Sequence, residues 1–378
     1  MKIGVVSFHD LDYGMDVAGM LADAGHTVFL YTSHQRAALA VPGGVSEQRF
    51  YELGLLPQNV TVRLYRFSRM RNPANLKIVR QIHHQMQQDG IQIAHLLVAQ
   101  GDLRSVMLSY QLKDIPTIAT MIVPQPNLND AVPAWMVKFV YGTTAARSDL
   151  VVVNGKSQVE LVQKLYRLPV DRVVHIPLGA QAAQNWLQAK QPEEPGTILF
   201  FGRAALHKGL EYLVRAQPII SRSFPAARIL ISAYGEDLER CKSLIVDPGK
   251  FEIHEGFVSG EQLAATFQRA SIVALPYLTA STSGILMTAM AFGKAVVATN
   301  VGCLPEYVQD GITGILVPPQ DEEKLAQAII QLLENDEQRT RLGRNAADWI
   351  TRQRREITGL YEVCYQKAMD IHAVNNKK

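Results

Sequence analysis

The stretch Thr197-Ile198-Leu199-Phe200-Phe201-Gly202-Arg203, with His207-Lys208-Gly209 and Leu210 close behind it, decides how this chain folds. A short apolar run closed by glycine is the pattern of a strand buried in a parallel sheet. Gly202 lets the backbone turn tightly beside a ligand. Arg203 brings a planar fork of donors and Lys208 a point charge, both suited to phosphate. A helix is expected from Leu210, so the two cations stand between a strand end and a helix N-terminus, where a diphosphate is well held. Taken alone, they are explained equally well as solvated loop charges.

Working outward, the same alternation fills the chain. Apolar runs at Thr27–Tyr31, Val60–Tyr65, Ile93–Leu97, Thr117–Ile122 and Leu150–Val153 follow a first run, Ile3–Phe8. Amphipathic stretches such as Met15–Ala24 and Ser157–Leu165 lie between them. After Thr197–Phe201 come Ala227–Ser232, Phe251–Glu255, Ile272–Leu275, Ala295–Thr299 and Gly314–Val317. This rhythm predicts an α/β protein with two Rossmann-like, doubly wound domains facing a cleft. The Ala-, Gln-, Glu- and Pro-rich segment Gln181–Gly196 reads as the connection, which divides the chain into 1–180 and 181–349. Helices are expected at Glu322–Glu334 and across Asp336–Ile371. Ligands of such sheets bind beyond the strand C-terminal ends.

A second anion-friendly turn follows Ile272–Leu275. Thr282 or Ser283 can cap a helix spanning Ile285–Phe292, leaving N–H groups free at its start, and Gly284 admits a ligand close to the backbone. A plain capped helix has the same sequence. Two such turns on one cleft point to a nucleotide diphosphate. On the first domain, His9, Asp10, Asp12, Tyr13 and Gly14 follow the first strand and are expected to face the cleft, with Gln100-Gly101-Asp102 and Gln125-Pro126-Asn127 as lesser candidates.

The totals bound the rest. The 378 residues are 47% apolar and 19% charged, enough for two cores and too apolar for a disordered chain. A net charge of +3 lacks the basic footprint of a nucleic-acid binder. Cys241, Cys303 and Cys364 have neither metal nor redox spacing, which suits a reducing compartment. Met1–Phe8 reads as a strand and not as a signal peptide, and no apolar run is long enough to span a bilayer. A cytoplasmic protein is expected. Arg63, Arg66, Arg69, Arg71, Lys77 and Arg80 occur with no acidic residue between them, and Asn72–Gln88 reads as an amphipathic helix. The stretch from Arg63 to Arg80 is either a solvated face or a peripheral contact with the anionic inner face of a membrane.

The second half resembles the retaining glycosyltransferases of family 4, which have the GT-B fold. The resemblance rests on Phe201-Gly202-Arg203 with His207-Lys208-Gly209, on Gly256-Phe257-Val258, and on Gly293–Gly302. It continues through Leu304-Pro305-Glu306, Asp310–Gly314, Val317-Pro318-Pro319 and Lys324-Leu325-Ala326. Looser matches in the first half are Ala22–Val28, Ser148–Val151 and Val174–Gly179. The resemblance implies a nucleotide diphosphate sugar as donor, held by the second domain, and a saccharide or lipid-linked acceptor on the first. It gives Arg203 and Lys208 the catalytic part of neutralising the departing diphosphate. Gly202, Phe257, Val258, Ser283, Gly284, Ile285 and Thr288 become donor contacts, and His9, Asp12, Tyr13 and Gly14 the acceptor or sugar side. It implies hexosyl transfer with retention, in polysaccharide or glycolipid synthesis, with no resident cofactor and no metal. The segment 350–378 would cross back to the first domain.

Three departures stand out. The family's two glutamates, eight positions apart, fall at Ala280 and Thr288; its first-domain histidine has no counterpart in Met121–Pro126; and its paired glycines are reduced to Tyr13-Gly14. A GT-B protein that has lost catalysis and serves as a nucleotide-binding or partner subunit would look similar. Sugar-nucleotide epimerisation, which needs acid and base side chains beside the sugar, finds none assembled here.

Overall fold

The computed structural model describes every residue except 42–43, 70–71, 125–131, 180–186, 188–190, 259 and 377–378. The 180/181 division, Arg71 and the loop Gln125-Pro126-Asn127 therefore lie outside the described residues.

Two parallel sheets are built as the apolar runs require. The first holds β1 (Lys2–Ser7), β2 (Thr27–Ser33), β3 (Val60–Tyr65), β4 (Ile93–Val98), β5 (Thr117–Met121), β6 (Leu150–Val153) and β7 (Val173–His175), in the order β3-β2-β1-β4-β5-β6-β7. The second holds β8 (Thr197–Arg203), β9 (Arg228–Tyr234), β10 (Phe251–Glu255), β11 (Ile272–Leu275), β12 (Ala295–Thr299) and β13 (Ile315–Val317), ordered β10-β9-β8-β11-β12-β13. Strand β7 was not among the expected strands, because three residues at a sheet edge carry too short an apolar run to be recognised. In both sheets the order reverses beside the first strand, β1 or β8. The loops leaving those two strands therefore stand at the switch points where open α/β sheets bind ligands.

The crossover helices of the first sheet are α1 (Leu11–Asp23), α2 (His34–Ala40), α3 (Glu47–Glu52), α4 (Asn75–Asp89), α5 (Leu103–Ser109), α6 (Ala134–Arg147) and α7 (Ser157–Tyr166). The second sheet carries α8 (Leu210–Ser223), α9 (Leu238–Lys242), α10 (Glu261–Arg269), α11 (Gly284–Ala291), α12 (Leu304–Tyr307) and α13 (Glu322–Glu334). Helix α1 begins four residues before the expected Met15. Its early start depends on Gly14, where a β-carbon would lie 2.6 Å from the Ser7 side chain, so only glycine lets the helix settle this close to β1.

The last helix, α14 (Asp336–Asn375), ties the halves together. Its first part packs on the second sheet, with Gly343 so close to the Gly293 carbonyl that a β-carbon would sit 2.0 Å from it. Its second part crosses to the first sheet. Arg354 reaches Asp16 at 2.9 Å and Asp23 at 3.1 Å, Tyr361 meets Tyr13 at 3.0 Å, and the Tyr365 hydroxyl meets Nδ1 of His95 at 3.0 Å. Ile357, Tyr361 and Tyr365 join one apolar cluster with β1, β2 and α1. A second link lies at α12, where Glu306 accepts from the backbone N–H groups of Lys156 (2.6 Å) and Ser157 (3.1 Å) and from the Ser157 hydroxyl (2.6 Å). A carboxylate of the second domain thus caps α7 of the first. Among the described residues, no helix is long and apolar enough to cross a membrane.

Candidate functional site

A pocket of about 280 Å³ opens between the sheets at the ends of β8 and β9. Gly202, Arg203 and Lys208 line one side, Gly284, Ile285 and Thr288 a second, and Gly256, Phe257 and Val258 a third; Asp12 reaches in from the first domain. The pocket brings together most of the residues singled out in the sequence, from four separate segments of the chain.

Each is placed by local geometry. Arg203 ends β8, and the backbone before it turns at Gly202 with φ 102°. Its guanidinium donates from Nη2 to Glu236 Oε1 at 2.9 Å and from Nε to Oε2 at 3.2 Å. Both side chains are substantially exposed, and such a pair gives up its partner at little cost. Lys208 lies in a short 3₁₀ turn, its ammonium 3.8 Å from the centre of the Tyr277 ring. That turn closes at Gly209 in the left-handed conformation, where a β-carbon would fall 2.0 Å from the Pro276 carbonyl. Ring contact and turn together aim the cation without neutralising it.

Opposite, the Ser283 hydroxyl accepts from the Leu286 N–H at 3.2 Å and lies 3.3 Å from the Tyr277 hydroxyl. Ser283 is buried and does not line the pocket. Its expected ligand contact is corrected to that of a helix cap, which leaves the pocket-facing start of α11 to Gly284 and Ile285. The Thr288 hydroxyl donates to the Gly284 carbonyl at 2.9 Å, so toward the pocket it has only acceptor capacity. Phe257 is 54% exposed and meets Tyr234 edge-on at 5.9 Å, a pocket wall and not a core residue.

On the first domain the expectations divide. Asp12 faces the pocket, its carboxyl pushed up to about 7 by burial and by neighbouring Asp10. Tyr13 and Gly14 do not. Tyr13 is fully buried, its hydroxyl held by Tyr361 and by Asn154 Nδ2 at 2.9 Å, and Gly14 packs on β1. The expectation treated them as loop residues, whereas they lie within α1 on its sheet-facing side. His9 stands outside the pocket lining. It receives a hydrogen bond at Nε2 from Arg36 Nη2 at 2.9 Å, and burial and the Arg36 charge push its pKa down to about 4. Asp102 is spent on Arg104 Nε (2.7 Å) and the Ser105 hydroxyl (3.1 Å).

The basic stretch is partly neutralised. Arg63 makes two bonds to Asp89, at 2.9 and 3.3 Å, and so leaves the exposed face to Arg66, Arg69, Lys77 and Arg80.

Sequence reasoning missed Ser232, Tyr234, Leu263 and Tyr277, all in the pocket wall. Ser232 is buried, and its Oγ has no hydrogen-bond partner among the described residues. Ser232 and Tyr234 close β9, which runs two residues past the apolar run that marks it. The strand-end rule applied to Ala227–Ser232 would have pointed to them.

Residues 195–335 match the family described as Glycosyl transferases group 1. The phosphatidyl-myo-inositol mannosyltransferase of Mycolicibacterium smegmatis is 34% identical over 174 residues, 44% of this chain and 44% of that protein. The D-inositol 3-phosphate glycosyltransferase of Corynebacterium urealyticum is 30% identical over 231 residues, 56% and 54% of the two chains. This chain spans about half the length of the curated relatives it matches. Among solved structures, the sucrose-phosphate synthase of Thermosynechococcus elongatus superposes with a TM-score of 0.70 at 20% identity, covering 97% of this chain and 98% of that one. HepE of Anabaena, solved in complex with UDP-glucose, gives 0.69 at 13% identity, covering 97% and 99%. The fold is GT-B from end to end.

Proposed function

We propose that this protein, whose second domain matches the group 1 glycosyltransferases, moves a hexose from a nucleotide diphosphate sugar to a saccharide or lipid-linked acceptor. The observation that carries the proposal is the convergence of Arg203, Lys208 and the first residues of α11 on one pocket. Two cations and a helix start with unspent N–H groups suit a diphosphate and would stabilise the charge it gains as it leaves. Tyr234 and Phe257 would flank the base, with Ser232 offering a hydroxyl, and Thr288 would accept from a ribose hydroxyl. Asp12 reaches the same space from the first domain, where it would hold a hydroxyl of the acceptor or of the donor sugar. Transfer with retention needs no protein nucleophile if the departing phosphate takes the acceptor proton, and we assign neither a metal nor a cofactor to it. Relatives named for phosphatidyl-inositol and inositol phosphate chemistry, and a structural neighbour holding UDP-glucose, fit a cytoplasmic role in glycolipid or polysaccharide synthesis. Exposed Arg66, Arg69, Lys77 and Arg80 would then lie against an anionic membrane face.

The test is a panel of nucleotide hexoses with nucleoside diphosphate release as readout and the product anomer fixed by NMR. Release from one donor, insensitive to chelator and lost in Arg203→Ala and Lys208→Ala, is expected. A donor that binds but never releases its sugar under any acceptor condition would instead favour the partner-subunit role.

A further inference from the structure

Resting on the function proposed above, the remaining question is what kind of acceptor the first domain takes. Its answer lies along the C-terminal edge of the first sheet. The order β3-β2-β1-β4 brings four loops side by side there: Arg66 after β3, His34 to Arg36 after β2, His9 after β1, and Asp102 to Arg104 after β4. Three arginines gather at this edge, and their partners differ.

Arg104 is buried, neutralised by Asp102 and stacked over the rings of Phe8 and Phe67 at 5.6 and 5.1 Å. It is a structural pair. Arg36 is half-buried and hydrogen-bonds to His9, at 2.9 Å to Nε2, while Arg66 is exposed and lies 3.3 Å from Nε2 of His34. Neither has a carboxylate in ion-pair contact among the described residues. Asp10 is near enough to feel the Arg36 charge, but burial raises its pKa and it forms no ion pair with Arg36. A guanidinium that donates to a neutral imidazole keeps its full charge and most of its fork of donors. A half-buried cation without an ion-pair partner is suited to holding an anion.

The place of that position gives it meaning. His9 and Asp12 are three residues apart, so their Cα atoms are at most about 11 Å from each other. Asp12 is the first-domain side chain in the donor pocket. Arg36 therefore contacts the same short segment, 9–12, that reaches into the donor pocket.

We propose that Arg36, oriented by His9, anchors an oxyanion on the acceptor, either a phosphate ester or a uronic-acid carboxylate, and so sets which hydroxyl faces the donor. The acceptor is then anionic, and Arg36 discriminates it from its neutral counterpart.

The experiment follows the His9 ring signal by carbon–proton correlation NMR on the full chain carrying Arg203→Ala and Lys208→Ala, so that the donor pocket does not compete. His9→Gln identifies the signal. Inorganic phosphate and glucuronate are added in separate titrations against sodium chloride of matched ionic strength. A saturable shift with either anion is expected, the responding one identifying the acceptor chemistry, and Arg36→Gln should weaken it roughly tenfold or more, as loss of a charge-assisted contact does. Arg36→Lys, which keeps the charge and loses the fork, should fall between; melting curves of the variants verify folding. A response no larger than that to chloride, or one retained in Arg36→Gln, overturns the proposal. The outcome is independent of sugar transfer: an inactive enzyme that still binds the anion at Arg36 would overturn the donor proposal alone.

Discussion

The guanidinium of Arg203 lies against the carboxylate of Glu236 through two hydrogen bonds, at 2.9 and 3.2 Å, at the mouth of the pocket it is proposed to serve. The contact holds the arginine in place and would compete with a phosphate for it. Arg203→Ala should weaken nucleoside diphosphate binding by about 1.5–3 kcal/mol, roughly ten- to hundred-fold. Glu236→Gln should strengthen it by at most about fivefold, since an exposed pair is worth ~1 kcal/mol or less. Calorimetry with the nucleoside diphosphate measures both, and weaker binding in Glu236→Gln would mean that Glu236 positions Arg203 more than it competes for it.

Phe257 is an exposed ring at a pocket wall, set edge-on to Tyr234. If it carries the base, Phe257→Ala should cost about 1–3 kcal/mol in nucleoside diphosphate binding, the range found for base stacking on aromatic side chains. Inorganic pyrophosphate, which has no base, should bind the variant as it binds the unaltered protein. Equal losses for both ligands would place the ring against the phosphates.

His95 sits at the centre of the first sheet, fully buried between Thr120 Oγ1 at 2.7 Å and the Tyr365 hydroxyl at 3.0 Å, and burial pushes its pKa down to about 3. Between its ordinary value of 6.5 and about 3, the unfolded chain binds a proton that the folded chain refuses. Stability should therefore fall on acidification through this window, by up to ~1.4 kcal/mol per pH unit from this group. Asp12 and Asp16 act in the opposite sense, since burial raises both to about 7 and their ionisation opposes folding as pH rises toward that value. Comparing urea unfolding of the unaltered protein and His95→Phe across the window isolates the histidine: the stability difference should shift toward the variant as pH falls.

Glu306 caps α7 across the interdomain boundary. Burial would raise its pKa, but the hydrogen bonds from Ser157 and from the backbone of Lys156 and Ser157 outweigh that and hold it below the ordinary value. Its contribution is thus present above an ordinary glutamate pKa and lost as pH falls below it. Glu306→Gln should cost about 1–2 kcal/mol, the loss expected of a cap and its charge, and lower the melting temperature by a few degrees. Small-angle scattering should also show the two halves more widely separated on average. An unchanged profile would leave α14 as the element that sets their separation.

The fold was legible where its physics is local. Unbroken apolar runs marked the strands, with β7 lost for its shortness. Gly202 before Arg203 and Lys208 marked the loop after β8, and a capping hydroxyl beside Gly284 marked the loop after β11, because both signals lie close together in sequence. What escaped depends on contacts across long separations. Tyr13 and Gly14 look like loop residues until Ser7 and Tyr361 bury them. Tyr234 enters the pocket because β9 runs past its apolar core, and Arg36 gains its meaning from His9 on the neighbouring strand end.

The reach of α14 also bears on how the chain is made. Tyr361 joins Tyr13 over a separation of 348 residues, and Ile357 and Tyr365 complete the same first-domain core. A ribosome delivers Tyr13 348 residues ahead of Tyr361. The first sheet must therefore wait with an unroofed apolar face until that length of chain has followed it, a span in which chaperone attendance or aggregation would be decided.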